Sequence, residues 1–293
     1  MKFGLTLRNT GAGSSAEAIE AGAETAERLG WETVWTTDHV LVPQSAAAEY
    51  GRTFEAIETL AWVGARHRHL KLGTSVIVVP QRNAVLLAKE LATLDVLSEG
   101  RLIVGVGVGW NETEFANLGA SDRFHRRGAY LDETIRLWRH LWSGSSEPFE
   151  GVFHSFRDFV FGPLPVRGER VPIVVGGGSP AALRRAGALA DGYHATRSMP
   201  DELAGRIPIV RAAAEGAGRP MPTFSARVAV TTERTEGAGY SLGGDPAAML
   251  REIRAFESLG VEHLAPAFDA TDPAKLAAAI ERFDSEVVKA LVD

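Results

Sequence analysis

The sequence predicts an α/β fold, a (β/α)8 or TIM barrel with an insertion between its fourth and fifth strands. Short β-rich runs alternate with longer amphipathic ones from end to end, which is the pattern of parallel sheets built from βαβ units. Eight such β-rich runs can be counted, the number that closes a barrel. A length of 293 residues suits one barrel of about 250 residues plus an insertion, so residues 1–293 are expected to form a single domain.

The first strand is read from Phe3 to Leu7. A capping box, Ser14-x-x-Glu17, then starts a helix carrying Ile19, Ala23 and Ala26 at helical spacing and ending at Gly30. The next strands are expected at Thr33 to Thr37, Lys71 to Val76 and Leu102 to Gly107, with helices Phe54 to Arg66, Val85 to Leu97 and Tyr130 to Trp142 after them. An irregular stretch, about 144–170, sets five phenylalanines among glycines and prolines and reads as an inserted hairpin. Strands Pro172 to Gly176, Gly192 to Ala195, Phe224 to Val230 and Glu262 to Ala267 complete the set. Their helices are Pro180 to Ala190, Pro200 to Gly216, Pro246 to Leu259 and Pro273 to Leu291. Thr232 to Gly244 is polar and glycine-rich, and is expected to form a flap because it can bury little.

Composition narrows the chemistry. Apolar residues make up 45% and charged residues 23%, enough to fill a core. A net charge of -6 without a basic block argues against nucleic acid and anionic membranes as partners and for a small molecule. With no cysteine, disulfides, thiolate nucleophiles and Cys-ligated metals drop out. Neither a signal peptide nor a membrane span is apparent, so a cytoplasmic location is expected. No H-E-x-x-H and no carboxylate cluster points to a metal.

In a parallel barrel the working residues gather at the C-terminal ends of the strands. The second strand ends in Asp38-His39: the imidazole can move a proton near neutral pH, and the carboxylate can fix its tautomer or bind a cofactor N–H. Alternatively Asp38 caps a turn and His39 fills a loop. In the third strand Gly73, Thr74 and Ser75 interrupt an apolar run and leave room for a flat ring, unless the hydroxyls bond locally to backbone. Gly105, Gly107 and Gly109 alternate on one face of the fourth, followed by Trp110 and Asn111, which suits a close-lying aromatic ligand or else a tight barrel interior. After the fifth strand comes Gly176-Gly177-Gly178-Ser179-Pro180, with Ser179 as N-cap and Pro180 at the first helical position. The amides and helix dipole there form an anion cradle, neither a Walker loop nor a G-x-G-x-x-G turn. Arg8, Asn9 and His194, at other strand ends, are placed to touch a substrate. His67 and His69 read as a solvated turn, and His125 with Arg126 and Arg127 as a helix start or a cofactor-tail contact.

Taken in order, Trp35 to Val40, Gly73 to Val76 with Pro80, Ala92 to Asp95 through Gly100-Arg101, Gly105 to Glu114, Arg127 with Leu131-Asp132-Glu133, and Pro172 to Ser179 with Ala190-Asp191-Gly192 resemble the luciferase-like monooxygenase superfamily, coenzyme F420-dependent branch. The resemblance implies a cofactor at the barrel mouth, its ring on the third and fourth strands and its phosphate over Gly177-Gly178-Ser179. It also implies a non-prolyl cis peptide at Ser75-Val76 as a bulge behind the ring, a contact from Asp38 to the ring system, His39 as the acid/base, and a homodimer. Trp110 stands where F420-dependent sugar-phosphate dehydrogenases of this family carry a carboxylate. This points away from sugar phosphates and toward an alcohol, ketone or activated alkene.

The expected function is therefore hydride transfer between F420 and a small organic substrate. An FMN-dependent monooxygenase is the alternative on the same fold. F420 differs in its anionic tail, for which Arg126, Arg127 and Arg197 would line an exit. A non-catalytic cofactor-binding protein is the alternative of another class; an NAD enzyme of the doubly wound type lacks its glycine fingerprint.

Overall fold

The computed structural model describes residues 1–231 and 240–291. Eight barrel strands are present: β1 Lys2–Thr6, β2 Thr33–Thr36, β3 Lys71–Thr74, β4 Leu102–Gly107, β5 Ile173–Gly176, β6 Gly192–Thr196, β7 Thr223–Thr231 and β8 His263–Phe268. Each pairs in parallel with the next, and β8 pairs back onto β1, so the barrel is closed. The barrel helices are α1 Ala16–Arg28, α2 Ala56–Arg66, α3 Ala84–Leu97, α4 Arg127–Trp142, α5 Pro180–Leu189, α6 Pro200–Gly216, α7 Pro246–Ser258 and α8 Pro273–Phe283.

Alternation along the strands divides the core in two. Leu5, Val34, Leu72, Val104, Val106, Ile173 and Val175 face the helices in one large apolar cluster. Trp35, Val174 and Ala265, with Ile103 against them, fill the barrel interior. Two buried tryptophans of α4 and the loop residue Arg101 show how the layers are tied. Trp138 Nε1 and Trp142 Nε1 donate to the Ala84 and Ala88 carbonyls at 2.9 and 3.1 Å, locking α4 to α3. Arg101 gives four donors to carbonyls of 64, 67, 70 and 98, closing the turn below β4.

Several local expectations need correction. The cap of α1 is Ser15, whose hydroxyl accepts the Ala18 amide at 3.1 Å, while Ser14 donates instead to the Arg52 carbonyl. The third strand stops at Thr74 and resumes as Ile77–Val78, paired with β4, because the cis peptide Ser75-Val76 interrupts it. The last helix ends at Phe283 rather than Leu291. There the buried Asp284 turns in to accept Trp31 Nε1 at 2.9 Å, and the chain goes on as a wide turn, Asp284–Val288, and a tight one, Lys289–Leu291. Between α4 and β5 lies a two-stranded antiparallel hairpin, Phe149–Glu150 with Ser155–Phe156. Of the expected flap, 232–239 lie outside the described residues, and Ser241–Gly243 form a short strand parallel to β7.

Two short helices that the periodicity does not reveal, Glu112–Asn117 and Ser121–Phe124, lie between β4 and α4. They form part of the rim of the mouth, together with the loop after β2 and its helix Ala47–Tyr50.

Candidate active site

Ser75 is the node of the barrel mouth. Its amide donates to the Thr36 carbonyl of β2 at 2.7 Å, its carbonyl accepts Arg227 Nη1 from β7 at 3.0 Å, and its hydroxyl lies 2.8 Å from His194 Nε2 of β6. β6 and β7 stand across the barrel from β3, so both side chains cross the interior. His194 is fully buried, stacks on Trp35 with centroids 4.7 Å apart, and places Nδ1 2.8 Å from Ser225 Oγ. Burial, and then the Arg227 and His263 charges, push its pKa down to about 3. His194 is therefore a neutral interior residue with both nitrogens engaged, and the expectation that it meets a substrate is not met.

Thr74 and the glycines also take a different role from the one expected. The Thr74 hydroxyl is saturated by the Gly105 carbonyl and amide, each at 2.8 Å, so it bonds locally to backbone. A Cβ on Gly73 would lie 2.3 Å from the Trp35 ring, and one on Gly105 would lie 1.8 Å from the Thr74 carbonyl oxygen. A Cβ on Gly107 or Gly176 would come within 2.6 or 3.0 Å of Val76. A Cβ on Gly109, which takes φ +73°, would lie 2.6 Å from Val78. These glycines clear space for neighbouring protein. What they admit to the mouth is Val76, which remains partly exposed among otherwise buried neighbours.

At the end of β2 the two expected residues separate. Asp38 is buried, accepts the Val78 amide at 2.9 Å and holds Arg82 through Nε and Nη2 at 3.3 and 2.6 Å. Arg82 also reaches Glu55 at 2.8 Å. Burial opposes its charge, yet Asp38 and Glu55 outweigh that and raise its pKa. All the contacts of Asp38 are thus with protein, and they pin the strand just beyond Val76.

His39 turns the other way, toward the mouth. Its Nδ1 is 3.0 Å from Glu114 Oε2, and Glu114 Oε1 accepts the Val40 amide at 2.8 Å. Nε2 has no partner among the described residues. Tyr50 lies against the imidazole at 4.1 Å between centroids, and Trp110 meets it edge-on at 6.2 Å. Glu114 is buried on the helix Glu112–Asn117, whose N-cap is Asn111, accepting the Glu114 amide at 3.1 Å. Burial raises the Glu114 pKa, but the hydrogen bonds from His39 and Val40 prevail and lower it overall. Sequence reading missed Glu114 and Tyr50. The spacing Asn111-x-x-Glu114 is itself a helix-start signal and could have found the first.

Beyond Tyr50 and Trp110, the two rings against His39, a cavity of about 620 Å³ is lined by these two residues, Glu49, Asn111 and Arg197, among others. Trp110 is 59% exposed, leaving much of its ring available to a ligand.

The turn after β5 is open. Gly177, Gly178 and Ser179 are exposed, and no protein acceptor among the described residues takes their amides. Gly177 adopts φ +105°, a conformation that favours glycine. Ser179 caps α5, accepting the Ala182 amide at 3.2 Å, with Pro180 at the first position. The Arg206 guanidinium lies 2.9 Å from where a Gly178 Cβ would stand, a cation beside the free amides that sequence reading also missed. Free amides, a helix N-terminus and a guanidinium together fit the phosphate of a flavin-type cofactor.

The remaining candidates are used elsewhere. Arg8 pairs with Asp269 at 2.6 Å, and Asn9 is buried with both its amide groups bonded to 37 and 54. His67 bonds Glu27 at 2.9 Å at the opposite end of the barrel. Arg126 and Arg127 lie over the Phe153 and Phe124 rings, and Arg197 pairs with Glu49.

Against known proteins, the model of the luciferase-like monooxygenase family matches residues 1–256. The chain belongs to that family. Among curated proteins, this luciferase-like chain is 31% identical to an F420-dependent glucose-6-phosphate dehydrogenase of Kineococcus radiotolerans, over 90% of its own length and 77% of that enzyme's. Among solved structures, an F420-dependent secondary alcohol dehydrogenase in complex with an F420-acetone adduct superposes with a TM-score of 0.83 at 20% identity, covering 100% and 99% of the two chains. The FMN-bound oxygenating constituent of 3,6-diketocamphane monooxygenase from Pseudomonas putida gives 0.80 at 17%, covering 99% and 98%. At those identities the structures establish the shared fold. Within the luciferase-like family fold, the Asp38-Arg82 and Ser75 anchors shape the mouth, and the His39-Glu114 pair stands inside it.

Proposed function

We propose that the protein is an F420-dependent oxidoreductase that transfers a hydride between the deazaflavin and a small organic substrate. The observation that carries this reading is the His39-Glu114 pair, its imidazole against Tyr50 and Trp110 of the cavity wall, on the same barrel face as the free amides 177–179. The curated relative's F420 dependence supports it.

Gly177, Gly178, Ser179 and Arg206 would hold the cofactor's phosphate, and Val76 would back its ring. When bound, the deazaflavin supplies the hydride acceptor or donor. The protein's own part is proton management. A carboxylate only accepts hydrogen bonds, so ionised Glu114 fixes the imidazole proton on Nδ1 and leaves Nε2 free to take a substrate hydroxyl proton. In the reverse direction the same nitrogen returns it. Glu114 is the positioning residue and His39 the catalytic one. Trp110 and Tyr50 offer apolar faces that exclude water and orient the substrate.

Glu114 is engaged by His39 and Val40, and Trp110 carries no charge, so no free carboxylate takes the place expected in sugar-phosphate dehydrogenases. That supports an alcohol or ketone substrate. An FMN-dependent monooxygenase is the second reading, since FMN offers the same phosphate to the turn and the fold neighbour holds FMN. A single-domain, homodimeric, cytoplasmic enzyme without a nucleic-acid partner completes the proposal.

The test is a thermal-shift titration of the apo protein with F420, FMN and NADPH. F420 should raise Tm by roughly 5–10 °C at a hundredfold excess over its Kd. A larger shift with FMN would establish the second reading, and no shift with either would overturn both.

A further inference from the structure

Among the described residues, Arg227 is a mouth cation with no carboxylate paired to it. It sits on β7 opposite Thr196 of β6 and Ala265 of β8, and crosses the barrel to give Nη1 to the Ser75 carbonyl at 3.0 Å. Among the described residues no carboxylate lies within ion-pair distance of it. Its guanidinium carries five donors, and one bond to a carbonyl neither uses them nor neutralises the charge. A clamp on Ser75 alone needs only a neutral donor, and a partly buried cation without a paired counter-charge is unfavourable.

The surroundings add to the excess. Arg197 follows β6 with a positive φ of 51° and is paired with Glu49, which cancels its charge. Tyr50, held against Glu49, is kept neutral by burial first and by that carboxylate next, with its pKa raised to about 12. Burial, then repulsion from Arg197, pushes Arg227 down to about 10, so it remains a cation at neutral pH. Arg227, Arg197 and Glu49 thus leave one positive charge beside the cavity that Glu49, Tyr50 and Arg197 line.

We propose that Arg227 is the anchor for an anionic group on the substrate, a carboxylate or phosphate, bound under the Glu49-Tyr50-Trp110-Arg197 cavity. The substrate is then an alcohol or ketone that also carries one negative charge. Its apolar body lies on Trp110, its charge on Arg227, and its reacting oxygen near His39. This deepens the function proposed above and rests on it. Arg227 selects the substrate, whereas His39 acts on it.

Paired probes of one shape test this without requiring a variant. Cyclohexanecarboxylate, cyclohexanol and cyclohexylammonium would be titrated into the wild-type protein, followed by Trp110-dependent fluorescence, beside a titration with F420. The carboxylate should bind at least about tenfold more tightly than the alcohol, as a charge-assisted hydrogen bond implies, and the ammonium most weakly. Arg227→Met should abolish that preference, bringing the carboxylate and cyclohexanol to within about twofold of each other, while Arg227→Lys, which keeps the charge and a donor for the Ser75 carbonyl, restores part of it. Equal binding of carboxylate and alcohol by the wild type, with F420 still bound, would overturn this inference alone. Failure of F420 to bind would strike the functional reading instead. If Arg227→Met weakens F420 and spares the carboxylate preference, the cation serves the cofactor and the substrate role is wrong.

Discussion

Glu114 Oε2 stands 3.0 Å from His39 Nδ1 while the other oxygen of the same carboxylate holds the Val40 amide at 2.8 Å. One side chain therefore fixes both the imidazole and the backbone that carries it. The arrangement leaves Nε2 as the only ring nitrogen able to meet a ligand.

Replacing His39 with Asn should remove proton transfer while keeping the cavity. Turnover is expected to fall about 10²–10⁴-fold, with F420 affinity changed by less than about threefold, compared by steady-state kinetics and fluorescence titration. An equal loss in both quantities would mean that His39 holds cofactor rather than moving a proton.

Glu114→Gln tests the positioning role. The amide offers one acceptor to two N–H donors, so the Nδ1 tautomer is no longer fixed, and kcat should drop by roughly 10–100-fold with KM nearly unchanged. The lowered Glu114 pKa also makes a stability prediction. Its contribution is present above the usual glutamate value of 4.5 and is lost as pH falls through the lower folded value. Urea unfolding below pH 5 should show that loss in the wild type and not in the variant.

The buried His194 predicts a loss in the same direction that begins at higher pH. The folded protein keeps it neutral down to about pH 3, whereas the unfolded chain binds the proton below 6.5. Acid therefore favours unfolding progressively from about pH 6.5 downward, with a slope of up to about 1.4 kcal/mol per pH unit for this group. His194→Gln should flatten that slope between pH 6 and 4. His263, lowered to about 4 chiefly by burial, should leave a residual slope in the variant.

Two alanine substitutions should part in a revealing way. Gly105→Ala drives a Cβ to 1.8 Å from the Thr74 carbonyl, which is backbone, and is expected to cost several kcal/mol, about 10 °C in Tm or failure to fold. Gly178→Ala meets only the movable end of Arg206, so Tm should change by less than about 2 °C while F420 affinity falls as the guanidinium is displaced. Differential scanning fluorimetry and cofactor titration on both proteins check the pair.

The fold was legible because its signals are local and repeated: strands β1 to β8 and their helices follow from alternation between β-rich and helical periods. The glycines were legible as glycines but not in purpose. Period-two spacing says that one face is bare, and only the tertiary structure says that Trp35, Thr74 and Val76 fill it. Asp38 and Thr74 likewise carry groups whose partners, Arg82 and Gly105, lie 44 and 31 residues away. Arg227 did leave a trace, a charge at an inward position of β7 between Ala226 and Val228. Its meaning needed the far wall of the barrel.

The threefold hold on Ser75, from β2, β6 and β7, divides the mouth into a part that resists change and a part that tolerates it. Efforts to retune the enzyme for new substrates would do best to leave Thr36, His194 and Arg227 untouched, because each transmits its own replacement to the same peptide. Val40, Leu41, Trp110 and Met199 are all more than 40% exposed. They form a rim whose side chains can be exchanged without disturbing that peptide, which makes them the natural positions for a focused library.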